Sequence, residues 1–200
     1  GLRGGGEYGE DWHQAGMFDK KQNVFDDLHA AAEYLIREGW TRAGRIGIQG
    51  GSNGGLLTSA AVTQRPELYG AVVVGVPLTD MLRFQHFTIA RFWTAEYGAS
   101  EDPDQFPYIY QYSPLHNIKA GTTYPPTLIT TGANDNRVVP AHAYKFAAAM
   151  QAAQAGDAPI LLHVEMRAGH GVGKPLSLSL DQFTDEVVFF MRSFGMKAAD

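Results

Sequence analysis

The sequence predicts an α/β fold, a mostly parallel sheet with helices on both faces. Three observations predict it. Segments of helical periodicity alternate with short apolar runs, and such alternation implies parallel strands joined by crossover helices. One run, Ala71-Val72-Val73-Val74-Gly75-Val76, is unbroken, as a strand buried on both faces requires. Hydrophobic residues make up 44% of the 200 residues and charged residues 18%. That is enough for one domain with a core, and it excludes a disordered tail or a charge-rich coiled coil.

The elements follow in order. Residues 23–39 read as a helix, with Val24, Leu28, Ala31, Ala32, Leu35 and Ile36 on one face and Gly39 able to end it. Residues 45–49 read as a short strand, 54–64 as an apolar helix with Pro66 beyond it, and 71–76 as the buried strand. Residues 125–131 make another strand, 142–154 an Ala-rich helix ended near Gly156, 160–166 a strand and 178–194 a final helix. The segment 77–124 breaks the rhythm. It carries Phe84, Phe87, Phe92, Trp93, Tyr97, Phe106, Tyr108, Tyr110 and Tyr112. An excursion this long and aromatic fits either a lid or pocket wall, or a packed helical insertion.

Several function classes drop out. A net charge of −5 with no basic cluster is no electrostatic match for nucleic acid. No apolar run approaches a membrane span. With no cysteine there is no disulfide, thiol nucleophile or thiolate-held zinc, and a chain without thiols suits cytoplasm and periplasm alike. No histidine pair has zinc-protease spacing, and there is no Walker lysine. Gly4-Gly5-Gly6-Glu7-Tyr8-Gly9 fits G-x-G-x-x-G, but no strand precedes it, and Glu7, Glu10 and Asp11 would repel a pyrophosphate. The opening Gly1-Leu2-Arg3 has no initiator Met and no signal-peptide apolar core, and reads as cut from a longer chain.

Glycine clusters mark three constrained loops: Gly4-Gly5-Gly6, then Gly50-Gly51 with Gly54-Gly55, then Gly169, Gly171 and Gly173. In the second, Gly50-Gly51-Ser52-Asn53-Gly54 matches G-x-S-x-G. Chance alone gives this pattern roughly 0.09 times in a chain of this composition. Its setting is stronger: a strand runs straight into it and an apolar helix follows. This is the strand–turn–helix of a nucleophile elbow, in which a sharp turn lifts the Ser oxygen clear of the sheet. Both motif glycines are expected to avoid collisions between strand and helix, and the Asn53 N–H to face a developing oxyanion.

A Ser nucleophile needs a base, and the base an orienting carboxylate. On such a fold their chain order is Ser, acid, His. The loop after strand 125–131 carries Asn134-Asp135-Asn136-Arg137, and the loop after strand 160–166 carries Gly169-His170-Gly171. Both are strand C-terminal loops, where open α/β sheets build their sites. Asp135 and His170 therefore have the right types, order and placement. His29 lies within a helix and His163 within a strand; His86 and His142 precede or begin helices; His13 and His116 have no strand ahead in the right order. Packing or surface roles are expected for these.

The motifs taken together are Arg3-Gly4-Gly5-Gly6-Glu7-Tyr8-Gly9, Lys21-Gln22-Asn23 with Phe25-Asp26-Asp27, Gly50-Gly51-Ser52-Asn53-Gly54-Gly55, Asp135-Asn136-Arg137-Val138-Val139-Pro140 and Ala168-Gly169-His170-Gly171. In content and order the chain closely resembles the catalytic domain of the prolyl oligopeptidase family, over essentially its whole length. The resemblance implies an α/β-hydrolase fold and a serine peptidase that cleaves short peptides after proline, with no metal or organic cofactor. Carried over by motif, Ser52 is the nucleophile, His170 the general base, Asp135 its partner, and Asn53 supplies one oxyanion N–H. Trp93 matches the tryptophan that stacks on the substrate proline ring, a flat apolar group that an aromatic wall selects. Tyr97, Val138 and Leu78 would line the same pocket, and Arg137 would hold a substrate carbonyl.

The resemblance also implies that residues 1–200 are only the later part of the hydrolase domain. A β-propeller and the first sheet strands would lie upstream, leaving the strand before Ser52 with an unpaired edge. The family's second oxyanion donor, a tyrosine hydroxyl, would lie there too, and loss of one such donor costs about 10²–10³ in rate. Asn136 stands where the family usually has a second Asp. Two other readings stay open: a serine hydrolase of other specificity, with Glu96, Asp102 and Asp104 as candidate acids for a basic substrate, and a fragment inactive without its other half.

Overall fold

The computed structural model describes residues 1–171 and 174–197; Gly173 of the third glycine cluster lies outside them. In chain order the elements are α1 (Glu10–Gln14), α2 (Gln22–Arg37), β1 (Ile46–Gly51), α3 (Asn53–Gln64), β2 (Tyr69–Gly75), α4 (Thr94–Tyr97), α5 (Phe106–Tyr112), β3 (Thr127–Gly132), α6 (Ala141–Ala153), β4 (Ile160–Glu165) and α7 (Leu176–Ser193), with short 3-10 turns between some of them. Each expected helix and strand is present, displaced by no more than a few residues. The sheet is parallel at all three pairings, in the order β1-β2-β3-β4. Sequential order with crossovers leaves β1 and β4 as the edges, so the strand leading to Ser52 has one unpaired side among the described residues, as expected.

Alternation along β2 separates two cores. Val72 and Val74 face α3 and α6, packing with Ala61, Val62, Ile129, Phe146 and Met150. Ala71 and Val73 face α7, packing with Leu128, Phe189 and Phe190. Helix α2 lies outside α3 and turns Phe25, His29 and Ala32 inward, a spacing that keeps them on one face. Helix α7 also carries an uncovered stripe: Leu176, Leu180, Phe183 and Val187 are all exposed.

The excursion after β2 resolves both alternatives. It is helical and packed, with Leu78, Met81, Phe84, Tyr97, Ile109 and Tyr112 in one buried cluster with Phe25 and Leu56. It is also a wall, because its 3-10 turn at Ala90–Trp93 and the adjoining α4 face Ser52 across a cleft. Helix α1 has no counterpart in the sequence reading. It buries no residue, so no apolar periodicity announces it.

Candidate active site

Strand β1 ends in a turn that forces Ser52 to φ 61°, ψ −116°. A non-glycine residue in this region stores roughly 1–3 kcal/mol and persists only where neighbours hold it. Here the Ser52 N–H donates to Gly75 O at 2.9 Å, and Ser52 O accepts from the Leu56 N–H at 3.0 Å. Gly50 is required as expected, since a Cβ there would sit 2.3 Å from Gly54 O. Gly54 is not: a Cβ there meets nothing within 4 Å. The close approach falls instead on Gly55, whose Cβ would lie 2.5 Å from Gly75 O. Helix α3 thus crosses β2 at the fourth glycine of the run. Asn53 opens α3, so its N–H has no acceptor within the helix.

Strands β3 and β4 deliver the other two residues. His170 Nε2 lies 3.0 Å from Ser52 Oγ, and His170 Nδ1 lies 2.6 Å from Asp135 Oδ2. Asp135 is buried, and its Oδ1 accepts the N–H groups of Arg137 and Val138, both at 2.9 Å. Three donors thus satisfy a carboxylate removed from water. The two loops touch backbone to backbone: Asn134 N–H donates to Ala168 O at 3.1 Å, and a Cβ on Gly132 would meet Gly169 O at 2.4 Å. Gly132 carries no sequence signal because it stands alone, outside any glycine cluster.

Beside Ser52 opens a cleft of about 320 Å³ lined by Asn53, Leu78, Ile89, Trp93, Glu96, Tyr97 and Arg137. Four of the five expected pocket residues are in this lining. Val138 is the exception; it packs behind, in the buried cluster with Leu78 and Tyr97. Ile89 joins the lining with no motif to mark it, and Glu96, a candidate acid for a basic substrate, lines the same cleft. Tyr97 Oη donates to Asn53 Oδ1 at 2.8 Å, and burial raises its pKa well above the usual phenol value. Arg137 is exposed and makes no ion pair among the described residues. Asp102 and Asp104 lie away from this lining; the Asp104 N–H donates to Asp102 Oδ1 in a local turn.

The remaining histidines pack or pair elsewhere. His29 Nδ1 meets Tyr69 Oη at 2.9 Å, and His142 Nδ1 accepts from the N–H groups of Thr79 and Asp80. His142 is held neutral by burial, its pKa pushed down to about 4. Among the described residues no helix is long and apolar enough to cross a membrane.

A parallel sheet covered by helices on both faces, with a strained serine after one strand and a histidine and an aspartate on later strand ends, defines an α/β-hydrolase. More narrowly, the chain belongs to the prolyl oligopeptidase family, which matches residues 1–197. It is 45% identical over 197 residues to a prolyl endopeptidase of Elizabethkingia miricola, covering 98% of this chain and 28% of that protein. A prolyl endopeptidase of Dictyostelium discoideum is 46% identical over 200 residues, covering 98% and 26%. Among solved structures, prolyl oligopeptidase B of Galerina marginata, bound to a 35mer hydrolysis and macrocyclization substrate, superposes with a TM-score of 0.94 at 38% identity, over 99% of this chain and 28% of that one. A post-proline cleaving enzyme of Rickettsia typhi gives 0.94 at 38% identity, over 98% and 28%. The chain therefore spans less than a third of the length of these relatives.

Proposed function

We propose that this chain carries the reaction centre of a serine endopeptidase that cleaves short peptides on the C-terminal side of proline. The observation that carries the reading is the juxtaposition of two things: the Ser52–His170–Asp135 hydrogen-bond chain and an aromatic cleft opening beside Ser52. His170 Nε2 takes the Ser52 proton as Oγ attacks the prolyl carbonyl. Asp135 fixes the imidazole tautomer and stabilises the imidazolium that forms. The Asn53 N–H donates to the oxyanion, and a second donor comes from polypeptide outside these residues. His170 then protonates the leaving amine, and water, activated by the same imidazole, releases the acid from Ser52.

Trp93 and Tyr97 supply flat apolar surface for the proline ring, Leu78 closes the floor, and Val138 supports it from behind. Arg137, exposed at the cleft and in no ion pair among the described residues, holds a substrate carbonyl. In this reading residues 1–200 are the later part of the hydrolase domain, completed by an upstream hydrolase segment and a propeller. Hydrolysis of a Gly-Pro chromogenic substrate by the chain, with Ser52→Ala as control, tests the reading. Turnover lost in Ser52→Ala supports it; turnover that survives the substitution refutes it.

A second reading has its own support: the chain turns over substrate only with the polypeptide it normally adjoins. The open edge of β1 and the exposed stripe on α7 favour this for the isolated chain. Absent turnover with a retained near-ultraviolet circular dichroism spectrum would assign the deficit to the second oxyanion donor. Absent turnover with a lost spectrum would assign it to folding.

A further inference from the structure

One ionisable side chain in the cleft has no part in the mechanism above. Glu96 follows Trp93 by one helical turn and lines the same cleft as Ser52. A carboxylate beside an apolar ring pocket is unfavourable for proline and attractive to a guanidinium or ammonium. Both of its oxygens, however, are engaged by residues that are not part of the cleft lining. Oε1 accepts from Lys21 Nζ at 3.1 Å, and Oε2 lies 2.9 Å from His13 Nε2. Lys21 is 2% exposed, and its ammonium also sits 4.9 Å from the centre of the Tyr97 ring. A lysine so deeply buried is rare unless it is paired. Burial lowers its pKa while the Glu96 charge opposes that shift. Lys21 lies just before α2 and 75 residues from Glu96, so the segment ahead of the sheet reaches across to the back of the cleft wall.

We propose that Lys21 is a specificity-determining residue: it holds the Glu96 carboxylate from behind, so the cleft offers substrate aromatic surface and no free negative charge. The inference rests on the Trp93 cleft being the substrate pocket. Without Lys21 the same wall becomes a site for a cationic side chain, because Glu96 already stands in the lining and its charge is no longer balanced by the buried ammonium.

The test uses benzamidine, a flat aromatic cation, titrated calorimetrically into the wild-type chain, Lys21→Met and the double variant Lys21→Met with Glu96→Gln. Methionine keeps the apolar stem and removes the charge. We expect Lys21→Met to bind benzamidine about tenfold more tightly than wild type, and the double variant to return to the wild-type affinity. Equal affinity in all three, or a gain that persists in the double variant, overturns the proposal. If Lys21→Met loses its near-ultraviolet spectrum, the half-exposed His13 offers a milder release. His13→Ala removes the group beside Oε2 and should then tighten binding about threefold, and unchanged affinity overturns the proposal. Failure of the proline reading is recorded separately, by wild-type hydrolysis of the Gly-Pro substrate; the titration reports the charge of the cleft whether or not proline is the substrate.

Discussion

The Tyr97 hydroxyl donates to the Asn53 side-chain oxygen across 2.8 Å, joining the cleft wall to the residue that follows Ser52. The wall and the elbow come from different parts of the chain, 44 residues apart, and this bond sets their spacing. Tyr97 otherwise rests edge-on against Phe84, at 5.5 Å between ring centres.

Removing that hydroxyl keeps the ring and breaks the tie. Tyr97→Phe is expected to lower stability by about 1 kcal/mol, the net worth of one such bond. It should raise KM for a prolyl substrate more than it lowers kcat, because it loosens the wall and leaves Ser52 and His170 in place. Urea denaturation and steady-state kinetics would check this; a fall in kcat at constant KM would assign Tyr97 to the reaction step instead.

The two glycines of the elbow motif should respond oppositely to alanine. Gly50→Ala drives a methyl into the Gly54 carbonyl, 2.3 Å away, and is expected to cost more than about 2 kcal/mol and to abolish labelling of Ser52 by a fluorophosphonate. Gly54→Ala enters open space within α3 and should stabilise the chain by about 0.4–1 kcal/mol through the unfolded state. Melting curves and labelling of both variants decide the matter. Equal damage at both positions would show that Gly54 serves a backbone role its free volume does not reveal.

Buried His142 gives stability a pH slope. Its folded pKa is pushed down from 6.5 to about 4 by burial. The unfolded chain therefore binds the proton more readily, and stability falls as pH drops from 6.5 toward 4. His29 and His116, also lowered chiefly by burial, act in the same direction. The slope is expected to approach about 1.4 kcal/mol per pH unit for a fully shifted group. Urea midpoints should fall between pH 7 and 5, less steeply in His142→Gln. Equal slopes in the two proteins would remove His142 from the account.

Much of this was legible in the sequence, and the reasons are local. The 71–76 run announced a buried strand because both of its faces are covered. Ser52, Asp135 and His170 stood out because each follows a strand in a fixed chain order. What escaped notice depends on contacts between distant residues. Gly54 looked required and Gly132 did not, because a glycine's need is set by the backbone that approaches it. The pairing of Lys21 with Glu96 carries no sequence signal, because the partners lie 75 residues apart and neither is unusual by itself. Val138, adjacent in sequence to an exposed arginine, turned inward because its own N–H is tied to Asp135.

Sheet order gives the site one further property. Ser52 hangs from β1 and His170 from β4, the opposite edges of four strands. Three inter-strand gaps span about 14 Å, yet the two side chains stand 3.0 Å apart. The loop beyond β4 must therefore reach back toward β1, and it presses on the end of β3, where a Cβ on Gly132 would meet Gly169 O at 2.4 Å. A small change in sheet twist is therefore levered into a larger change at the tip, where hydrogen-bond reach is measured in tenths of an ångström. The Ser52–His170 distance is thus a strain gauge for the whole sheet, able to register distortion even at β2, the one strand that leads to none of the three residues.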